Sequence, residues 1–180
     1  MKRAIDVVIL PDEDVRDLAI ELNKGLLDAA PYNISLGMYD FRPHVTLFMG
    51  VLDDSRLEQA KGIIAEVSKE FLPLTVEVPK VVNVQDNGRV TSYLEVTRTE
   101  PLQKLHEELV KRLSPLCSFD ATPDMFVGSL QQIPHYWATG AHRAKTMGNF
   151  HPHITIGFGR AAKQVESSYF TAEELTLCHL

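Results

Sequence analysis

Four residues in two matching heptapeptides could do chemistry together. The stretch Phe41-Arg42-Pro43-His44-Val45-Thr46-Leu47 reappears as Phe150-His151-Pro152-His153-Ile154-Thr155-Ile156. In an extended strand alternate side chains take opposite faces, so His44 and Thr46 share one face and Val45 and Leu47 the other. The second copy repeats this with His153 and Thr155 against Ile154 and Ile156. Two imidazoles with an ordinary pKa near 6.5 can supply a general base and a general acid at neutral pH, each accounting for roughly 10²–10⁴-fold in rate. Threonine hydroxyls are donors to anionic oxygens, and β-branching restricts their rotamers. With the two strands facing each other across a cleft, these groups suit in-line displacement at phosphorus, and no metal is required.

The flanking residues extend the candidate site. Arg42 and His151 stand two residues before each histidine, where they could add positive charge at the mouth. His151-Pro152-His153 also admits a shared metal ion, but no carboxylate or cysteine at a suggestive spacing accompanies it. The stretch from Pro134 to Lys145 reads as an exposed loop carrying Tyr136, Trp137, Arg143 and Lys145, which could stack on a base and steer phosphate. Phe41 and Phe150 are expected to anchor the two strand starts. His106, beside a leucine stripe, reads as an ordinary helix residue.

The elements that must position this site follow in chain order. Ala4 to Leu10 is a β-rich run ending at Pro11, with Asp6 inside it. From Asp12, apolar residues at 15, 18, 19, 22 and 26 fall at helical spacing behind an acidic start, and Ala30-Pro31 closes that helix. After the first motif, Asp53, Asp54 and Ser55 offer caps for a second helix with a stripe at Leu57, Ala60, Ile64, Val67 and Phe71. Two β-type runs, 74–84 and 90–97, flank Asn87-Gly88, a hairpin signal. Thr99 can cap a third helix with Pro101 in its first turn and Leu102, Leu105, Leu109, Leu113 and Leu116 inward. Residues 125–131 could form a strand. The second motif strand follows, then a polar segment and a last strand from Glu174 to His179. Strands joined by hairpins, with helices outside, make an α+β fold of mainly antiparallel sheets.

Composition sets the outer limits. A chain of 180 residues with 44% apolar and 23% charged residues can bury a core as one domain spanning 1–180. A net charge of −6 argues against charge-driven binding to duplex DNA, but not against a nucleotide or an RNA end. Cys117 and Cys178 lack zinc spacing and read as reduced thiols of a cytoplasmic protein. The first ten residues lack a cleavage-site pattern, and no apolar run approaches the roughly 20 residues of a membrane span. The chain is expected to be a monomer that needs no cofactor and binds no membrane.

His44-Val45-Thr46-Leu47 and His153-Ile154-Thr155-Ile156 resemble the paired H-x-T-x motifs of the 2H phosphoesterase superfamily. Within it the chain is most similar to the bacterial 2′-5′ RNA ligase-like, or RNA 2′,3′-cyclic phosphodiesterase (LigT-like), branch. The run from Pro43 to Gly50 before an acidic-capped helix and the closing stretch 170–177 carry the likeness over nearly the whole chain. The resemblance implies a bilobal, pseudo-two-fold α+β fold with a central cleft. It implies opening of a 2′,3′-cyclic phosphate, or formation and cleavage of 2′-5′ links. One of His44 and His153 would activate water, and the other would protonate the departing ribose oxygen. Thr46 and Thr155 would hold the non-bridging oxygens. The near-symmetric motif leaves both assignments open, with a lean to His153 as base and His44 as acid. Basic residues around the branch's second motif reduce here to Arg160, which weakens the expected grip on longer RNA. The competing expectation is a non-catalytic module that binds nucleotides or RNA ends in the same cleft.

Overall fold

The computed structural model describes residues 1–27, 34–39, 41–86, 88–127 and 150–180. Among these, β1 (Lys2–Ile9) and α1 (Glu13–Leu27) open the chain. The side chain of Asp12 caps the helix by accepting from the Val15 amide at 3.1 Å. Strand β2 (Val45–Asp53) then leads through a 3₁₀ turn at Asp54–Arg56, capped by Asp53, into α2 (Leu57–Phe71). Strands β3 (Leu74–Val78), β4 (Val81–Asp86) and β5 (Arg89–Glu95) precede α3 (Glu100–Leu113), whose cap is the expected Thr99. The short β6 (Cys117–Ser118), then β7 (His153–Phe158), β8 (Ser168–Ala172) and β9 (Thr176–His179) complete the described elements. None of the described helices is long and apolar enough to cross a membrane.

The fold is α+β with antiparallel sheets, as the order of elements predicts. One sheet runs β4-β5-β7-β2-β1-β9, with β6 added to β2, and β3 pairs with β8 in a separate ribbon. The two motif strands are therefore immediate neighbours in one sheet, and the convergence expected of two strands facing each other arises side by side. Their ladder consists of one pair, Val45 with Ile154. Beyond it β2 pairs with β6 at Val51 and Leu52, while β7 pairs with β5 along its length. The two halves of the sheet thus meet at a single point and diverge from it.

That point is pinned from below. Val45 and Ile154 are fully buried, with Leu47 and Ile156 beside them. Helix α3 packs under β2 and α1 under β7. Leu102, Leu105, Leu109 and Leu113 of α3 are buried, as the 3.6-residue spacing requires. Burying such a leucine stabilises the fold by about 1.5–3 kcal/mol relative to leaving it exposed.

Several boundaries differ from the sequence reading. The run 74–84 divides at Pro79 into β3 and β4, which join different sheets, because proline has no N–H to continue a ladder. The hairpin forms at the expected place, with Asp86 paired to Arg89 and Gly88 at φ +80°. The polar segment before the last strand contains β8, in which Phe170 and Ala172 are buried and Tyr169 and Thr171 exposed. In the expected strand 125–131, the described part is not a strand: Pro123–Met125 forms a 3₁₀ turn, and residues 128–131 lie outside the described set.

Candidate active site

Neither motif strand starts at its phenylalanine. Pro43 and Pro152 cannot donate to a ladder, so β2 begins at Val45 and β7 at His153. Phe150 is buried and anchors its strand as expected, but Phe41 is exposed, with φ at +48°. Its anchoring role is not realised, since the backbone turns there and carries the ring outward.

What the two motifs share is a backbone hydrogen bond. His44 Nδ1 lies 2.7 Å from the carbonyl oxygen of Arg42, and His153 Nδ1 lies 2.8 Å from that of His151. A carbonyl oxygen only accepts, so Nδ1 carries the proton in both rings and Nε2 is the basic nitrogen of the neutral form. Arg42 and His151 therefore serve the histidines through their backbones, and both side chains are exposed.

Because Val45 and Ile154 point into the core as one pair, the residues on either side of them share the opposite face. That register sets His44 beside Thr155 and Thr46 beside His153. The expected set of His44, Thr46, His153 and Thr155 is brought together on one face. Thr155 is exposed and Thr46 half-buried.

The surroundings of the two histidines differ. His44 Nε2 is 3.5 Å from Oδ2 of Asp6, a β1 carboxylate that is 1% exposed. The same oxygen receives a 2.8 Å hydrogen bond from the Thr46 hydroxyl. Burial pulls His44 below the ordinary imidazole value, opposed by its bond to Arg42. Burial also pushes the Asp6 carboxyl well above the carboxylate range, opposed by Thr46. On the other side Tyr93 packs against His153, with ring centres 4.9 Å apart, and against His151 at 5.6 Å. Glu95 stands across from His153 in the β5–β7 register and pairs with Lys80 at 3.4 Å.

Asp6, Tyr93 and Glu95 were not among the residues expected from sequence. Asp6 had a signal, an acid inside the apolar run of the first strand. Tyr93 and Glu95 had none, because their place beside the second motif depends on strand order. Tyr136, Trp137, Arg143 and Lys145 lie outside the described residues. Arg160 is exposed just past β7. Among the described residues no group of three or more histidines, cysteines and acids is placed to hold a metal.

A polar scaffold holds the second motif in place. Asn23 of α1, fully buried, donates to the carbonyls of Ile156 and Ile34, both at 2.8 Å, and accepts from the Leu36 amide at 2.9 Å. Buried Ser92 binds the Gly159 carbonyl at 2.6 Å and, with Asn83, the Ala161 amide. Arg98 donates to the Phe150 carbonyl at 3.2 Å. These bonds tie both ends of β7 to its neighbours.

Solved structures and a family model resemble this chain. A solved structure described as that of a phosphoesterase is 12% identical, with a TM-score of 0.49, covering 98% of this chain and 87% of that one. The structure of Usb1 from Kluyveromyces marxianus is 12% identical, with a TM-score of 0.40, covering 99% of this chain and 98% of that one. No curated protein matches the chain. The family model of the 2′-5′ RNA ligase superfamily matches residues 29–177, a span that contains both histidine motifs. This chain belongs to the 2′-5′ RNA ligase superfamily.

Proposed function

We propose that the protein opens ribose 2′,3′-cyclic phosphates, on RNA ends or nucleotides, by acid–base catalysis between His44 and His153 without a metal. The observation that carries this reading is the equivalent Nδ1 bond in the two motifs, which makes Nε2 the basic nitrogen of each neutral ring on adjacent strands. Membership of an RNA-named superfamily supports the substrate class.

In this reading a water attacks phosphorus as the bond to one ribose oxygen breaks. One histidine takes the water's proton at Nε2, and the other, protonated, gives a proton to the leaving ribose oxygen. The products are a phosphomonoester and a free ribose hydroxyl. Burial favours neutral His44, the state a general base requires. We therefore assign His44 as base and His153 as acid, reversing the lean drawn from sequence. Thr155 and Thr46 face the non-bridging oxygens, with Arg42 and His151 at the rim.

The test is hydrolysis of a short RNA ending in a 2′,3′-cyclic phosphate, in EDTA, by wild type and His153→Ala in parallel, with the product typed as 2′- or 3′-phosphate. Turnover by wild type alone is expected. Tight binding of the RNA end without product would move the reading to a binding module. Turnover lost in EDTA and restored by Zn²⁺ would overturn the metal-free mechanism.

A further inference from the structure

Asp6 is a buried acid in the wall of this site that the acid–base scheme does not use. Its Oδ2 accepts from Thr46 at 2.8 Å and lies 3.5 Å from His44 Nε2, and its Oδ1 is buried with no hydrogen-bond partner among the described residues. Across the strands it faces Met49 of β2 and Cys178 of β9, while Arg42 lies near enough for its charge to act on Cys178. Among the described residues, no arginine or lysine forms an ion pair with Asp6.

Two consequences follow from donor and acceptor counting. His44 Nδ1 holds the proton given to Arg42, so Nε2 of the neutral ring and an ionised Oδ2 would be two acceptors facing each other. Two acceptors so placed disfavour the ionised carboxylate beside a neutral His44. Thr46 has a single hydroxyl proton. Given to an ionised Asp6, that proton cannot also reach a phosphate oxygen, and the lone pairs of Thr46 then face the substrate. With the carboxyl protonated, Oδ2 donates to Thr46 Oγ1 over the same 2.8 Å, and the Thr46 proton is released outward.

We propose that Asp6 is a positioning residue of this site, presenting the Thr46 hydroxyl proton to the substrate phosphate when its carboxyl is protonated and withdrawing it when ionised. This rests on the phosphoesterase reading for the identity of the substrate. Desolvation of the carboxyl favours the protonated, donating form. Asp6 makes no contact with the reacting atoms; it acts through Thr46.

The experiment measures KM and kcat against pH for an RNA 2′,3′-cyclic phosphate, whose single charge does not change over the range. Wild type is compared with Asp6→Asn and Thr46→Val. In wild type, KM is expected to rise about tenfold as Asp6 ionises, the scale of one hydrogen bond to a charged group. Asp6→Asn, whose amide stays neutral and can donate, should keep the low KM with no such limb. Thr46→Val should hold KM about tenfold high at every pH and lose the limb too. A limb that persists in either variant, or a wild-type KM flat with pH, overturns the proposal. If wild type turns over no cyclic phosphate, the function reading fails and Asp6 is tested by carbon NMR. Its carboxyl should titrate well above the usual range and move further up in Thr46→Val, which removes a bond favouring the ionised form. An Asp6 in the ordinary range, unmoved by Thr46→Val, overturns the proposal without any substrate.

Discussion

The imidazole of His106 lies flat on the ring of Phe150, with centres 4.1 Å apart and planes 4° from parallel. Its Nδ1 donates to the Leu47 carbonyl at 2.6 Å. One buried side chain of α3 thus touches both motifs, the first through β2 and the second through its leading phenylalanine. His106 is not the ordinary helix residue its sequence context suggests.

This placement has a consequence for acid stability. Burial pulls His106 below its ordinary value of 6.5, so the unfolded chain binds more protons than the folded one between the two values. The contribution of His106 to stability should be full above about 6.5, fall as pH drops through it, and level off below the folded value. Urea midpoints across pH test this. His106→Asn, whose amide can take the place of Nδ1, should reduce the slope, leaving the parts that belong to His44 and, with the opposite sign, to Asp6.

Replacing either motif histidine should stop the reaction without unfolding the protein. His44→Ala and His153→Ala are each expected to lower kcat/KM by about 10²–10⁴-fold, with an unchanged circular dichroism spectrum. If one substitution leaves kcat/KM within a few fold of wild type, the two-histidine scheme fails.

The kcat/KM profile should be bell-shaped, with its acid limb below 6.5 because the lowered His44 must be neutral to act as base. Histidine NMR titration assigns the limb. A His44 that titrates above 6.5 would return the base to His153.

Asn23 should matter for stability despite standing outside the reacting groups. Asn23→Ala leaves the carbonyls of Ile34 and Ile156 and the Leu36 amide without their partner. A cost of about 3 kcal/mol is expected from such buried unmet groups, read as a lower urea midpoint. A midpoint unchanged within error would mean that other groups hold β7.

Asp6 should carry the opposite pH signature. Its folded value is raised above 3.8, so its stabilising contribution is fully present below 3.8 and is lost as pH rises through the folded value. Asp6→Asn should therefore be more stable than wild type on the alkaline side and match it more closely in acid. Parallel unfolding curves at the two extremes check this, and an equal difference at both would remove the case for a buried neutral carboxyl.

By itself the sequence determined what depends on local pattern. Period-2 alternation put the histidines and threonines of each motif on one face, Thr99 and the leucine spacing defined α3, and Asn87-Gly88 marked the hairpin. The four central residues of the candidate site were proposed for the same reason, since a repeated seven-residue pattern needs no knowledge of neighbours. Tertiary structure decided what depends on which strands lie side by side. The pairing of Val45 with Ile154 turned two separate motifs into one face. The β1–β2 ladder brought Asp6 to Thr46, and the β5–β7 ladder brought Tyr93 to His153. These contacts join residues tens of positions apart, and strand order has no local signature. Burial, which separates His44 from an ordinary imidazole and Asp6 from an ordinary carboxylate, arises only when the sheet and its helices close around them.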